Sequence, residues 1–143
     1  MLTKTDFLLF LKAPLHLWAK ENAKLEKKAP SIYEQHLMKQ GYEVEKLAHE
    51  LLPHATWQKP YFTDDFEIRQ DALIKYPDGN GHLYEIKSST EVKREHLFDV
   101  VYQSIIIEEK TKLKKIFIIT LNKCQVPLLL DNPSTGFDNA GKI

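Results

Sequence analysis

Asp71, then a turn, then Glu85-Ile86-Lys87 is the part of this chain with the most chemical content. Two carboxylates can hold a hard divalent cation, and a lysine two residues on can stabilise a hydroxide or a phosphoryl oxygen. That combination is the minimal equipment for metal-assisted phosphodiester cleavage. An acid and a Glu-x-Lys are each common in sequences. Their expected placement on one hairpin raises the signal.

Phe66 to Tyr76 alternates as a strand does, and His82 to Lys87 follows the same period. Between them lies Pro77-Asp78-Gly79-Asn80-Gly81. Proline presets a turn φ, aspartate bonds its own backbone, and glycine enters the left-handed region cheaply. A loop with an odd number of residues puts Asp71 and Glu85 opposite one another on one face, and Lys87 joins them by the period of two. Ala72, Ile74, Tyr84 and Ile86 then turn to the other face and pack.

The elements that would carry this hairpin follow from caps and periodicity. Thr3 to Asp6 has the form of a capping box before the apolar run Phe7–Leu11, so a short helix is expected there. After Pro14 a second helix is expected from Leu15 through Leu25, leaving through the charged stretch Lys24 to Lys28, read as a solvated helix end. Ser31 to Glu34 is a cleaner capping box, opening a helix to about Leu52, stopped by Pro53. Its expected buried stripe is Leu37, Gly41, Val44, Ala48 and Leu51. Glu45 lies at the edge of that stripe, where it either pairs, reaches solvent or binds a metal. His54 to Asp65 reads as a loop or irregular edge strand, with Trp57, Tyr61 and Phe62 covering one end of the sheet. Ser88-Ser89-Thr90 offers caps for a helix from about Glu91 to Lys110, with Leu97, Val101 and Ile105 as its apolar face, broadened by Phe98 and Tyr102. Lys115 to Leu121 is a continuous apolar run of the kind a buried strand shows, and a crossover onto the same sheet is implied.

The 143 residues suffice for one domain with a real core. No transmembrane run is present, and the start MLTKTDFLLFLK is too short and too interrupted by charge to serve as an export signal, so a cytoplasmic location is expected. One cysteine, Cys124, excludes an internal disulfide framework and any multi-cysteine metal site; it reads as a small buried hydrophobe. The six histidines show no spacing typical of zinc. No phosphate-binding glycine loop is found. Balanced charge gives no bulk support for nucleic-acid binding, so a DNA contact would need a local basic patch.

The order of a helix with Glu45, a strand with Asp71, a strand with Glu85-Ile86-Lys87 and a helix with Gln103 resembles the PD-(D/E)xK nuclease superfamily. More narrowly it resembles the RecB-like branch that includes the CRISPR-associated exonucleases. The likeness runs over roughly residues 2 to 125, through LTKTDFLLFLKAPLHLW, GYEVEKLAHELLP, RQDALI, YEIKSSTEVKREHLFDVVYQ and IFIITLNK. It implies a restriction-endonuclease-like α/β fold, a mixed central sheet flanked by helices, over residues 1–127, followed by a flexible tail, 128–143.

By position, the resemblance makes Asp71 and Glu85 metal-binding carboxylates and the Ile86 carbonyl a further ligand. Lys87 would act on the attacking water or the transition-state charge, and Glu45 would complete the metal shell. Asp99 and Gln103, one helical turn apart, would reach DNA or orient Lys87, with a solvated polar stripe as the bland alternative; His96 is a candidate substrate contact. Lys93, Arg94 and Lys123 could touch phosphates. The metal implied is Mg or Mn. Ala13 stands where the branch has its early cluster cysteine and no late cysteine set exists, so no iron–sulfur cluster is expected. Gln70 replaces the proline of the name-giving motif. The activity implied is metal-dependent hydrolysis of DNA phosphodiesters by a cytoplasmic enzyme. Its partners would be DNA and either further copies of the chain or a larger DNA-processing assembly. The alternative is an inactive module of the same fold that binds nucleic acid or a protein.

Overall fold

The computed structural model describes residues 1–23 and 29–122. The expectations for Lys24 to Lys28, Lys123, Cys124 and the 128–143 tail lie outside those residues. The chain runs β1 (Leu2–Thr3), α1 (Lys4–Lys12), α2 (Pro14–Asn22), α3 (Ile32–Leu51), β2 (Thr56–Trp57) and β3 (Pro60–Phe62). It continues as β4 (Phe66–Arg69), β5 (Ala72–Lys75), β6 (Asn80–Ile86), α4 (Arg94–Glu108) and β7 (Lys112–Ile119). The architecture is mixed α/β.

Local chemistry sets the helix starts. Thr3 and Asp6 form the reciprocal box that opens α1, and Ser31 and Glu34 form the one that opens α3. Pro14, with no N–H to lose, occupies the first position of α2. Asp6 is buried and also takes the Lys20 ammonium from α2. Burial alone would raise this carboxyl, but the hydrogen bonds from Lys20 and Thr3 outweigh it and hold it at about 2. A depressed carboxyl stabilises the fold above its ordinary value of 3.8, and that contribution disappears as the pH falls toward 2. Urea titrations of wild type and Asp6→Asn should therefore differ by about 1–2 kcal/mol at pH 6 and converge by pH 2. A difference that stays constant with pH would contradict the paired carboxylate.

Two sheets are present rather than one. The first has the order β1-β4-β3 and the second β2-β5-β6-β7, each with one parallel and otherwise antiparallel pairings. The strand expected from Phe66 to Tyr76 is divided between them at Gln70 and Asp71. The register of the long hairpin is unchanged across the break, as Tyr61 faces Ile68 and Thr56 faces Leu73. No residue is inserted; the backbone bends where Gln58 adopts φ 49°. Gln58 N–H still donates to Asp71 O at 3.0 Å, and Gln70 N–H to Lys59 O at 3.3 Å. The buried Gln70 amide also ties the bend to Thr56 O at 3.0 Å.

The β5–β6 hairpin closes through an odd loop. Tyr76 N–H donates to Asn80 O, leaving Pro77, Asp78 and Gly79 between them, and Gly79 takes the left-handed φ of 81°. Asp78 accepts from the Asn80 backbone and amide. α4 then carries the chain over to β7, which runs parallel to β6.

One core lies under α4: Tyr61, Ile68, Leu73, Leu83, Tyr102, Ile106 and Ile107, joined by Phe7 and Leu113. A smaller one lies under α3: Val44 and Ile119 with Leu52, Tyr84, Ile86 and Leu121. Within the expected α3 stripe only Val44 and Ala48 are buried; Leu37 and Leu51 are exposed. α4 departs further from expectation. It starts at Arg94 rather than near Glu91, and Leu97, Val101 and Ile105 are 51, 52 and 62% exposed. The buried residues of α4 are His96, Asp99, Val100, Tyr102, Gln103, Ile106 and Ile107, so of the expected apolar face only Tyr102 packs inward. β7 is an edge strand in which Ile116 and Phe117 are exposed, so its apolar run is buried only toward Ile119. No helix among the described residues is long and apolar enough to cross a membrane.

Candidate functional site

β6 alternates between its two faces, and the face bearing Gly81, Leu83 and Glu85 is the more buried one. Glu85 therefore continues the line of core residues instead of facing away from an apolar backing. Extending the Ala72–Tyr84 register by one residue sets Asp71 across from Glu85, as the hairpin reading requires. Asp71 Oδ2 accepts the Ile86 N–H at 2.9 Å, which fixes the carboxylate just before β5 against the last residue of β6.

Around Glu85 stands a buried cluster in which both Glu85 oxygens are engaged. Lys87 Nζ lies 2.6 Å from both Glu85 Oε1 and Asp99 Oδ2. Gln103 Nε2 donates to Glu85 Oε2 at 2.6 Å and to Asp99 Oδ1 at 2.7 Å. Lys4, the first residue of α1, adds a second ammonium, 3.2 Å from Glu85 Oε1 and 3.3 Å from Asp99 Oδ1. Asp99 and Gln103 are thus not a solvated stripe: one helical turn brings both under the sheet, where they hold Lys87 and Glu85.

The charges follow from this packing. Burial, and then the neighbouring Asp71, push the Glu85 carboxyl up to about 7 despite the two lysines. Burial would lower the Lys87 ammonium, but Glu85 and Asp99 outweigh it and raise it well above its ordinary range. Burial works against Asp99 ionising as well, yet Lys4 and Lys87 hold its carboxyl below the usual value. Two ammonium groups and an ionised Asp99 are permanent near neutrality. Glu85 is the group that titrates.

On the other side of Lys87 is a cavity of about 350 Å³ lined by Met38, Gly41, Tyr42, Glu45, Asp71, Ile86, Lys87 and Ser88. Of the five residues that the resemblance assigned to metal binding and catalysis, Glu45, Asp71, Ile86 and Lys87 meet at its wall and Glu85 does not. Glu45 Oε1 accepts from Gln58 Nε2 at 2.9 Å and lies 4.0 Å from His49 Nε2. Gln58 is the only non-glycine residue with positive φ among the described residues. Such backbone costs of order 1 kcal/mol or more and persists where surrounding contacts demand it. Here those contacts join the Asp71 backbone to the Glu45 side chain.

The donors at the cavity are oxygens, the ligand type a hard divalent ion takes. Among the described residues, however, no three carboxylate or histidine side chains surround one point, and Glu85 is turned toward Lys4, Lys87 and Gln103. No family model and no curated protein matches the chain. His96 stands apart from the cavity: its Nδ1 accepts the Lys93 N–H at 3.1 Å, so the ring caps α4. Lys4 and Gln58 escaped sequence reasoning. Lys4 is 81 residues from Glu85 and hidden inside an ordinary capping box, and nothing local marks Gln58.

Proposed function

We propose that this chain is a metal-dependent deoxyribonuclease with a restriction-endonuclease-like core formed by α3, β5, β6, α4 and β7. The observation that carries the reading is the meeting of Glu45, Asp71, Ile86 and Lys87, drawn from a helix, a strand junction and a strand end, at one cavity. Asp71 and Glu45, with Glu85 behind them and the Ile86 backbone beside them, would hold Mg²⁺ or Mn²⁺. The ion, when bound, would lower the pKa of an attacking water and offset charge on the phosphate. Lys87 keeps its proton and presents a fixed positive charge at the cavity wall, suited to the developing negative charge of a phosphoryl group. Asp99 and Gln103 are positioning residues. They hold Lys87 and Glu85 from behind and do not line the cavity.

A second reading is favoured by two observations: the complete engagement of Glu85 by Lys4, Lys87 and Gln103, and the exposed stripe Leu97, Val101 and Ile105. It makes the chain an inactive module of the same fold that binds nucleic acid or a protein. Labelled single- and double-stranded DNA incubated with Mn²⁺, with Mg²⁺ and with chelator separates the two. Cleavage that requires the metal is the expected result. Absence of cleavage on either substrate, together with no calorimetric Mn²⁺ binding, would replace the nuclease reading by the second.

A further inference from the structure

α4 buries one face and leaves a second, apolar stripe bare. Leu97, Val101 and Ile105 are each at least half exposed, and Arg94 and Glu108, the first and last residues of the helix, are exposed as well. At about 100° per residue these five positions fall on one face about 80° wide. They are also symmetric: Leu97 and Ile105 are equidistant from Val101 along the chain, and so are Arg94 and Glu108. A second copy of α4 laid antiparallel, with Val101 on a two-fold axis, sets Leu97 against Ile105 and Arg94 against Glu108 at both ends. Phe98 then comes opposite Ser104, whose hydroxyl already donates to Val101 O at 2.8 Å, so no donor is stranded.

Charge argues for this occupant. Among the described residues neither Arg94 nor Glu108 has an ion-pair partner, whereas Glu95, next to Arg94, is taken by Lys12 at 3.3 Å. Each also stands at the helix end whose dipole disfavours its sign, a cation at the N-terminus and a carboxylate at the C-terminus. An antiparallel copy brings the opposite charge to both ends. The apolar surface continues from Phe98 onto α1, where Leu8 and Leu11 help to wall a cavity of about 390 Å³. We propose that this stripe is a self-complementary interface through which two copies of the chain pair, α4 antiparallel to α4 about Val101. The pairing needs neither the metal nor the cleavage proposed above. α4 covers the Leu83 face of β6, whereas the cavity with Glu45 is lined from α3 and Ile86, on the other side.

A seam of about 21 Å along one helix is short for a stable interface, so dissociation in the micromolar range is expected. Sedimentation velocity of the full chain over about 1–200 μM, which brackets such an affinity, should show monomer giving way to a species of twice 16.7 kDa. Arg94→Glu should weaken association on the order of tenfold, since two attractive pairs become repulsive. Arg94→Glu combined with Glu108→Arg should restore it, because the pairs are re-formed with their signs exchanged. Val101→Glu, which brings two carboxylates together on the axis, should leave monomer throughout. Wild type that stays monomeric over the whole range overturns the proposal. So does a dimer that survives Val101→Glu, or a charge exchange that fails to restore what Arg94→Glu removes. Arg94 and Glu108 are exposed, so the exchange decides the matter if Val101→Glu does not fold. The readout is mass, so failure of the nuclease reading leaves it unchanged.

Discussion

Asp99→Ala should lower the stability of this protein by about 3–5 kcal/mol, the range found when one partner of a buried ion pair is removed. Asp99 is buried, and its two oxygens serve Lys87, Lys4 and Gln103. Without it, two ammonium groups would share the single charge of Glu85, itself a group that resists ionising. The loss is a large part of the 5–15 kcal/mol typical of a domain, and should appear as a fall of about 10 °C in Tm. Adding Lys87→Met to Asp99→Ala should restore at least about 1 kcal/mol, because the unpaired ammonium is then gone. A cost below about 1 kcal/mol for Asp99→Ala would mean that the cluster is effectively solvated.

On the proposed nuclease reading, Glu85→Gln should reduce metal-dependent DNA cleavage on the order of a thousandfold, the scale at which removal of one group stabilising the transition state acts. It should at the same time change how stability depends on pH. The Glu85 carboxyl is raised from 4.5 to about 7 in the folded protein. A raised carboxyl favours the fold in acid, and that contribution is lost as the pH climbs from 4.5 through 7. Wild type should therefore lose about 2–3 kcal/mol relative to Glu85→Gln between pH 5 and pH 7.5, measured by urea denaturation. Loss of cleavage without a change in pH dependence would place Glu85 in the chemistry but outside a low-dielectric cluster. The opposite pattern would make it structural.

The starts of α1 and α3 and the hairpin were legible in the sequence, because the interactions that make them reach only a few residues. Thr3 with Asp6 and Ser31 with Glu34 cap their helices through the third residue on. Pro77, Asp78 and Gly79 close an odd loop, which brings Asp71 across from Glu85. The same spacing put Asp99 and Gln103 one turn apart, and Glu45 at the edge of the buried stripe of α3.

Where periodicity was the guide, the outcome divided. α4 has apolar residues around most of its circumference, so Leu97, Val101 and Ile105 made as good a stripe as the one the protein uses. The choice was made by the sheet: Glu85 and Lys87 present charges to α4, and only the face with His96, Asp99 and Gln103 can answer them there. The alternation from Phe66 to Tyr76 is equally blind to the bend at Gln58, since the register on both sides of it is the same.

Residue types and short-range spacing therefore determined which side chains could form a metal-dependent site, and on which elements they stand. Tertiary structure alone decided which of them are turned toward each other. It set Glu85 among two lysines and an amide, put Lys87 between that cluster and the cavity, and brought Lys4 from 81 residues away. The physical reason is distance along the chain. Caps and turns are settled within a few residues, whereas the neutralisation of a buried carboxylate is settled by whichever distant charge the fold carries to it.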